Sequence, residues 1–176
     1  MIYFTADLHF YHENVISHAS RPFSSVEEMN EALIRNWNKI VKPTDEIYIL
    51  GDFTMKGAGY ATETLLKLNG RKYLIKGNHD RFVEQATFDM SLFEWVRDYH
   101  ELSYQNQRFI LFHYPLEEWN HFFRGAIHLH GHQHNHADYN HQNLAKGLRR
   151  FDVGVDANSM APVSIEDVIA FFSEQT

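Results

Sequence analysis

Five short apolar runs in this chain each stop on a residue able to bind a metal ion, and that repeated pattern constrains the fold more than any single motif does. The runs are residues 2–6 before Asp7, 47–50 before Gly51-Asp52, 73–75 before Gly77-Asn78-His79-Asp80, 109–112 before His113, and 127–130 before Gly131-His132. Short runs rich in β-branched and aromatic residues predict buried strands. Sheets of α/β proteins bind ligands at the carboxyl ends of their strands. Five such ends converging on one metal site point to a hydrolase.

A length of 176 residues suits one compact domain with a substantial core, and residues 1–176 are expected to form a single domain. No apolar stretch approaches the ~18 residues of a membrane span, and no basic region followed by an apolar run opens the chain. With no cysteine, disulfides and thiolate zinc sites are excluded. Together these features predict a cytoplasmic protein with no membrane partner. A net charge of −7 argues against an extended surface for duplex nucleic acid, whereas a small phosphate ester is easily accommodated. The 13 histidines stand out, because histidine is the commonest metal-binding side chain. Composition leaves the oligomeric state open.

Strands alternate with amphipathic segments along the chain, the pattern of a layered α/β fold. From Val26, the positions Met29, Leu33, Trp37, Ile40 and Val41 keep helical spacing behind a Ser25/Glu28 capping box, and Pro43 disfavours helix at Lys42. A second helix is expected over 61–68, with Gly70 suited to the turn after it. Residues 95–104 and 108–113 predict a hairpin about Gln105-Asn106-Gln107. A strand over 151–155 and a helix from Ser164, with Val168, Ile169, Phe171 and Phe172 inward, complete the elements. Residues 135–147 are polar and predict a mobile loop.

The residue types at the strand ends carry the chemistry. Asp7 and His9 alternate, so an extended segment would present both on one side. Asp52 follows a glycine that permits a tight turn, and its two oxygens suit a carboxylate that bridges cations. In Gly77-Asn78-His79-Asp80, Asn78 offers a neutral oxygen ligand, His79 a proton, and Asp80 a carboxylate to orient that imidazole. His132 and His134 follow Gly131 and are the ligands expected from the alternating histidines. His128 and His130 are expected to pack within the strand, and His136 and His141 to lie near the rim.

In the order Asp-x-His, Gly-Asp, Gly-Asn-His-Asp, His, Gly-His-x-His, the chain resembles the calcineurin-like metallophosphoesterases from Asp7 to His134. Residues 7–12, Arg21-Pro22-Phe23 and Val153-Gly154-Val155-Asp156 resemble a branch of small bacterial and phage members. The resemblance implies a four-layer α/β/β/α sandwich of two mixed β-sheets flanked by helices. It also implies two divalent metal ions, one held by Asp7, His9, Asp52 and His134 and the other by Asp52, Asn78, His113 and His132. A hydroxide bridging the metals would attack phosphorus, with His79 protonating the leaving oxygen and Asp80 holding His79 as the second catalytic residue. Carboxylate, amide and imidazole ligands suit manganese first, then iron, zinc, nickel or magnesium.

Where the family often continues Gly-Asp-x-x-Asp-Arg, this chain has Met55 and Lys56. Lysine lacks the planar fork of arginine, so phosphate binding is expected to fall to Asn78, His12, Lys56 and Arg81, with Arg21 a further candidate. The favoured activity is hydrolysis of small phosphodiesters or nucleotides. The alternatives are a general phosphomonoesterase and, from another class, a catalytically silent metal-stabilised binding module, against which the intact His79 argues.

Overall fold

The computed structural model describes residues 1–173. Strands β1 (Ile2–Thr5), β2 (Glu46–Ile49), β3 (Arg71–Ile75) and β4 (Trp95–Arg97) are parallel. With β9 (Val163–Ser164) antiparallel to β1, they form a mixed sheet of order β4-β3-β2-β1-β9. A second mixed sheet has the order β5-β6-β7-β8. In it β5 (Tyr99–Tyr104) is antiparallel to β6 (Gln107–Phe112), and β7 (Ile127–His130) and β8 (Arg150–Asp152) follow in parallel.

Alternate side chains of a strand leave opposite faces of the sheet, and here both faces of the central strands are covered. Phe4, Tyr48, Leu50 and Ile75 meet Phe109, Leu111, Ile127 and Leu129 between the sheets. Ile47, Ile49 and Leu74 face the other way, onto Met29, Leu33 and Trp37 of α2 (Val26–Ile40) and Ala61 and Leu65 of α3 (Ala58–Lys67). Strands buried on both faces read as continuous apolar runs, which is why they stand out in the sequence. Helix α4 (Asp138–Ala145) packs against β8, and α5 (Ile165–Ser173) adds Ile165, Val168 and Phe172 to the core between the sheets. The short α1 (Asn14–His18) follows the β1 loop. The two mixed sheets flanked by helices agree with the implied fold.

Three elements differ from expectation. The strand expected over 95–104 is two, because the chain bends at Asp98: β4 pairs with β3 while β5 pairs with β6 in the other sheet. Helix α3 begins about one turn earlier than residue 61, at Ala58, whose N–H donates to the Gln85 side chain at 2.8 Å. Residues 138–145, expected in a mobile loop, are helical. Asn140 and Asn143 are buried, and Asn140 both donates to the Asp152 carbonyl (3.1 Å) and accepts from the Asp152 N–H (2.7 Å). A helix anchored by amides has no apolar periodicity to detect.

His128 and His130 lie buried in β7, as expected. His128 Nε2 accepts the Leu116 N–H at 3.1 Å and Nδ1 lies 3.0 Å from the Ile110 carbonyl, so the neutral ring is satisfied on both nitrogens. Burial, then the neighbouring His130, lowers its pKa from 6.5 to about 3; Arg150 acts in the same direction. Below pH 6.5 the unfolded chain therefore takes up a proton that the folded chain refuses, and stability falls as pH drops through the window from 6.5 to about 3. His128 is expected to account for about 2 kcal/mol of stability lost between pH 7 and 5. Urea unfolding of wild type and His128→Gln at both pH values checks this: the variant should lose less stability on acidification, and equal losses would remove the role assigned to His128.

Candidate metal centre

The loops that leave the strand ends are held in unusual backbone conformations. Asp7 (φ 55°), His9 (50°), Asp52 (56°), His132 (75°) and His134 (51°) are all left-handed. Residues other than glycine avoid this region, at a cost of about 1–2 kcal/mol each, and such strain persists only where the surroundings enforce it. Here the loops brace one another. The Asp7 N–H donates to the Gly51 carbonyl, the His9 N–H to the Asp52 carbonyl and the Gly131 N–H to the His113 carbonyl, each at 3.0 Å. The His132 N–H donates to Asp7 Oδ2 at 2.8 Å. Gly131 has to be glycine, because an added Cβ would lie 2.5 Å from Ala6 Cβ and 2.6 Å from Asp7 Oδ2.

Two groups of potential ligands result. Atoms of Asp7, His9 and His134 lie within 4.8 Å of one another, as do atoms of Asp52, His113 and His132. Asp52 Oδ2 sits between the groups, 3.5 Å from His9 Nε2 and 3.5 Å from His113 Nε2. Asn78 Oδ1 joins the second group at 3.1 Å from His113 Nε2. Two rings are oriented from behind, with His113 Nδ1 2.7 Å from the Leu50 carbonyl and His134 Nδ1 2.8 Å from Asp156 Oδ2. Each arrangement leaves Nε2 for a ligand, as at metal sites generally.

These residues fit divalent cations on their own evidence. Asp7 Oδ1, both nitrogens of His9 and His132 Nδ1 are buried without a hydrogen-bond partner, and buried polar atoms are almost always satisfied. Burial, followed by Asp152 and Asp52, pushes the Asp7 carboxyl well above the usual range. His9 is lowered to about 2 by burial, His134 and Arg21. Buried carboxylates crowded together beside neutral imidazoles are the donor set a cation stabilises.

Three expected roles meet different contacts. Asp80 does not touch the His79 ring. Its buried carboxylate accepts the backbone N–H groups of Asp52, Phe53 and Gly77, each at 2.8 Å, and so fixes the turns that carry Asp52 and Asn78. Arg21 cannot reach a phosphate: it is buried and fully engaged, donating to both oxygens of Asp156 (2.8 and 2.9 Å), to the Leu8 carbonyl (3.0 Å) and to the Asp7 carbonyl (2.6 Å). His132 and His134 do not alternate along a strand, because β7 ends at His130; both backbones are left-handed, and His134 joins the first group while His132 joins the second.

The other expected residues lie around the groups. His79 donates its N–H to Asp52 Oδ1 at 3.0 Å, and its ring centre is 5.6 Å from that of His9. It lines a cleft with His12, His18 and His134, which adjoins a second one holding His12 and Lys56. Asn78 and Arg81 line a separate cleft. His136 and His141 are exposed. Asp156, which orients His134, has no role in the sequence pattern, although it directly follows the strand expected over 151–155; in the structure β8 stops at Asp152.

A family model described as calcineurin-like phosphoesterase matches residues 1–153. The Methanocaldococcus jannaschii protein MJ1445 is 36% identical over 171 residues, covering 96% of this chain and 89% of its own. The gene 66 protein of Mycobacterium phage L5 is 36% identical over 81 residues, covering 44% of this chain and 39% of its own. The crystal structure of AQ665, a protein of unknown function from Aquifex aeolicus, superposes with a TM-score of 0.75 at 28% identity and covers 97% of this chain and 98% of that one. No helix among the described residues is long and apolar enough to cross a membrane. The match takes in Asp7, Asp52, His113 and His132, whose side chains the folded strands bring together, and the chain belongs to the calcineurin-like phosphoesterases as a metal-dependent phosphoesterase.

Proposed function

We propose that the chain uses two divalent metal ions to hydrolyse small phosphodiesters or nucleotides. The observation that carries this reading is the position of Asp52 Oδ2, 3.5 Å from an imidazole nitrogen of each ligand group, where one carboxylate can serve both ions. Asp7, His9, Asp52 and His134 would hold the first, and Asp52, Asn78, His113 and His132 the second. When bound, such a pair neutralises phosphate charge and supplies an activated water as nucleophile.

The remaining work falls to the chain. The His132 N–H holds Asp7 Oδ2 and leaves Oδ1 for a ligand bond. Asp156 steadies His134, and Arg21 fixes Asp156 against the carbonyls of Asp7 and Leu8. Asp80 sets the turns from which Asp52 and Asn78 project. His79, half-buried beside His9, delivers a proton to the leaving oxygen. The donor set, hard oxygens mixed with imidazoles, favours manganese.

Metal-stripped protein is expected to be inactive and to recover on addition of manganese, hydrolysing bis(p-nitrophenyl) phosphate faster than p-nitrophenyl phosphate. Turnover of the monoester alone would replace this reading with a general phosphomonoesterase. No turnover of either ester despite bound metal would exclude both as substrates.

A further inference from the structure

Two clefts flank the ligand groups on different sides. One, of ≈ 270 Å³, is lined by His9, His12, His18, His79 and His134 and opens on the first group. The other, of ≈ 430 Å³, is lined by Lys76, Gly77, Asn78, Arg81, Glu84, Asp98, Phe112 and Tyr114 and adjoins the second group through Asn78. The Gly77–Arg81 turn divides them, sending His79 into the first cleft while Asn78 and Arg81 line the second. A monoester has one organic arm, whereas a diester has two. If His79 protonates the departing oxygen, the departing arm lies in the histidine cleft and the arm retained on phosphorus lies in the larger one.

The lining of the larger cleft describes that retained arm. The ring of Tyr114, a partly exposed residue, lies 4.6 Å from His132 and 4.9 Å from His113 between centroids, and 5.6 Å from Phe112. All three neighbours meet it tilted or edge-on, at 57–75°, so none stacks on it. Arg81 is exposed, with no side-chain partner among the described residues. Lys76 Nζ pairs with Asp98 Oδ1 at 3.2 Å at the solvent edge, and Glu84 adds a second carboxylate. An aromatic platform beside both cations and carboxylates suits a flat heterocycle carrying hydroxyl donors. An acyl chain would find only Phe112 and Tyr114, and the volume is in the usual range for small-molecule sites.

We propose that this cleft is a nucleoside subsite, in which a base stacks on Tyr114 and sugar hydroxyls reach Glu84 and Asp98, making the preferred substrate a nucleotide diester. The inference rests on the phosphodiesterase reading above. In the reaction a water oxygen bonds to phosphorus and the P–O bond to the departing alcohol breaks. The alcohol leaves with the proton from His79, and the water's protons restore His79 and pass to solvent. The nucleoside monophosphate remains in the larger cleft.

The test compares two diesters with the same leaving group, thymidine 5′-(p-nitrophenyl phosphate) and methyl p-nitrophenyl phosphate, on manganese-loaded wild type, Tyr114→Ala and Tyr114→Phe. Base stacking on an aromatic side chain implies about a tenfold effect. The ratio of kcat/KM for the thymidine ester to that for the methyl ester should therefore fall about tenfold in Tyr114→Ala and recover in Tyr114→Phe. Equal losses on both esters would leave the ratio unchanged and overturn the subsite, reducing Tyr114 to a support for His132. Calorimetric titration with thymidine 5′-monophosphate and with methyl phosphate reads the subsite without turnover. Preferential binding of the nucleotide by wild type, lost in Tyr114→Ala, supports the subsite even if neither diester is hydrolysed, an outcome that would count against the phosphodiesterase reading alone. Equal binding of the two phosphates by wild type and variant overturns the subsite.

Discussion

Asp52→Asn is expected to lose both metal ions together and to lower ester hydrolysis by about 10⁴-fold or more, beyond the 10²–10⁴ that removal of a general acid costs. The substitution keeps the side chain's shape and one oxygen. It removes the negative charge that lies 3.5 Å from an imidazole of each ligand group. No other carboxylate among the described residues occupies that position, so neither group can compensate. Metal analysis after dialysis, run beside turnover, provides the check. Two firmly held ions in the variant would remove the bridging role, and loss of one alone would assign Asp52 to a single ion.

The second large effect is expected at His79. His79→Ala should keep its metal content while turnover falls by about 10²–10⁴-fold. Because the role is proton delivery, the loss should be greater for an alkyl leaving group than for p-nitrophenolate, which departs without needing a proton. A uniform loss across leaving groups would argue for substrate placement instead, and metal loss in parallel with activity would make His79 a ligand. Asp80→Asn tests the contacts seen around it: an amide cannot accept three backbone N–H bonds through two carboxylate oxygens, so this variant should weaken metal binding, an effect that steadying the His79 ring would not produce.

The strand ends were legible in the sequence because strands covered on both faces leave unbroken apolar runs, and the polar residue that stops each run is where the backbone turns out of the sheet. How the ligands are distributed between the two groups was not legible from spacing alone. Alternation along an extended chain and alternation between left-handed residues leave the same letters at Asp7/His9 and His132/His134. Helix α4 was hidden because its buried residues are asparagines bonded to the Asp152 and Arg150 backbone. Arg21 looks like a surface cation beside Pro22 and Phe23. Only the fold reveals that Asp156, 135 residues further on, engages it.

That pairing bears on the order in which the centre can be made. The carbonyls of Asp7 and Leu8 are clamped by an arginine whose own anchor lies at residue 156, and the Asp7 carboxylate is held by an N–H 125 residues downstream. A chain is synthesised from its amino end, so Asp7, His9 and Asp52 leave the ribosome long before His132, His134 and Asp156. An unfinished chain thus carries Asp7 without the His132 N–H that holds its carboxylate, and Arg21 without its Asp156 anchor, so the contacts between residues 7–9 and 51–52 are the only ones of the brace already in place. If Asp7, His9 and His134 hold an ion as proposed, capture has to wait for the last part of the chain, and a bound ion would certify that its two ends have met.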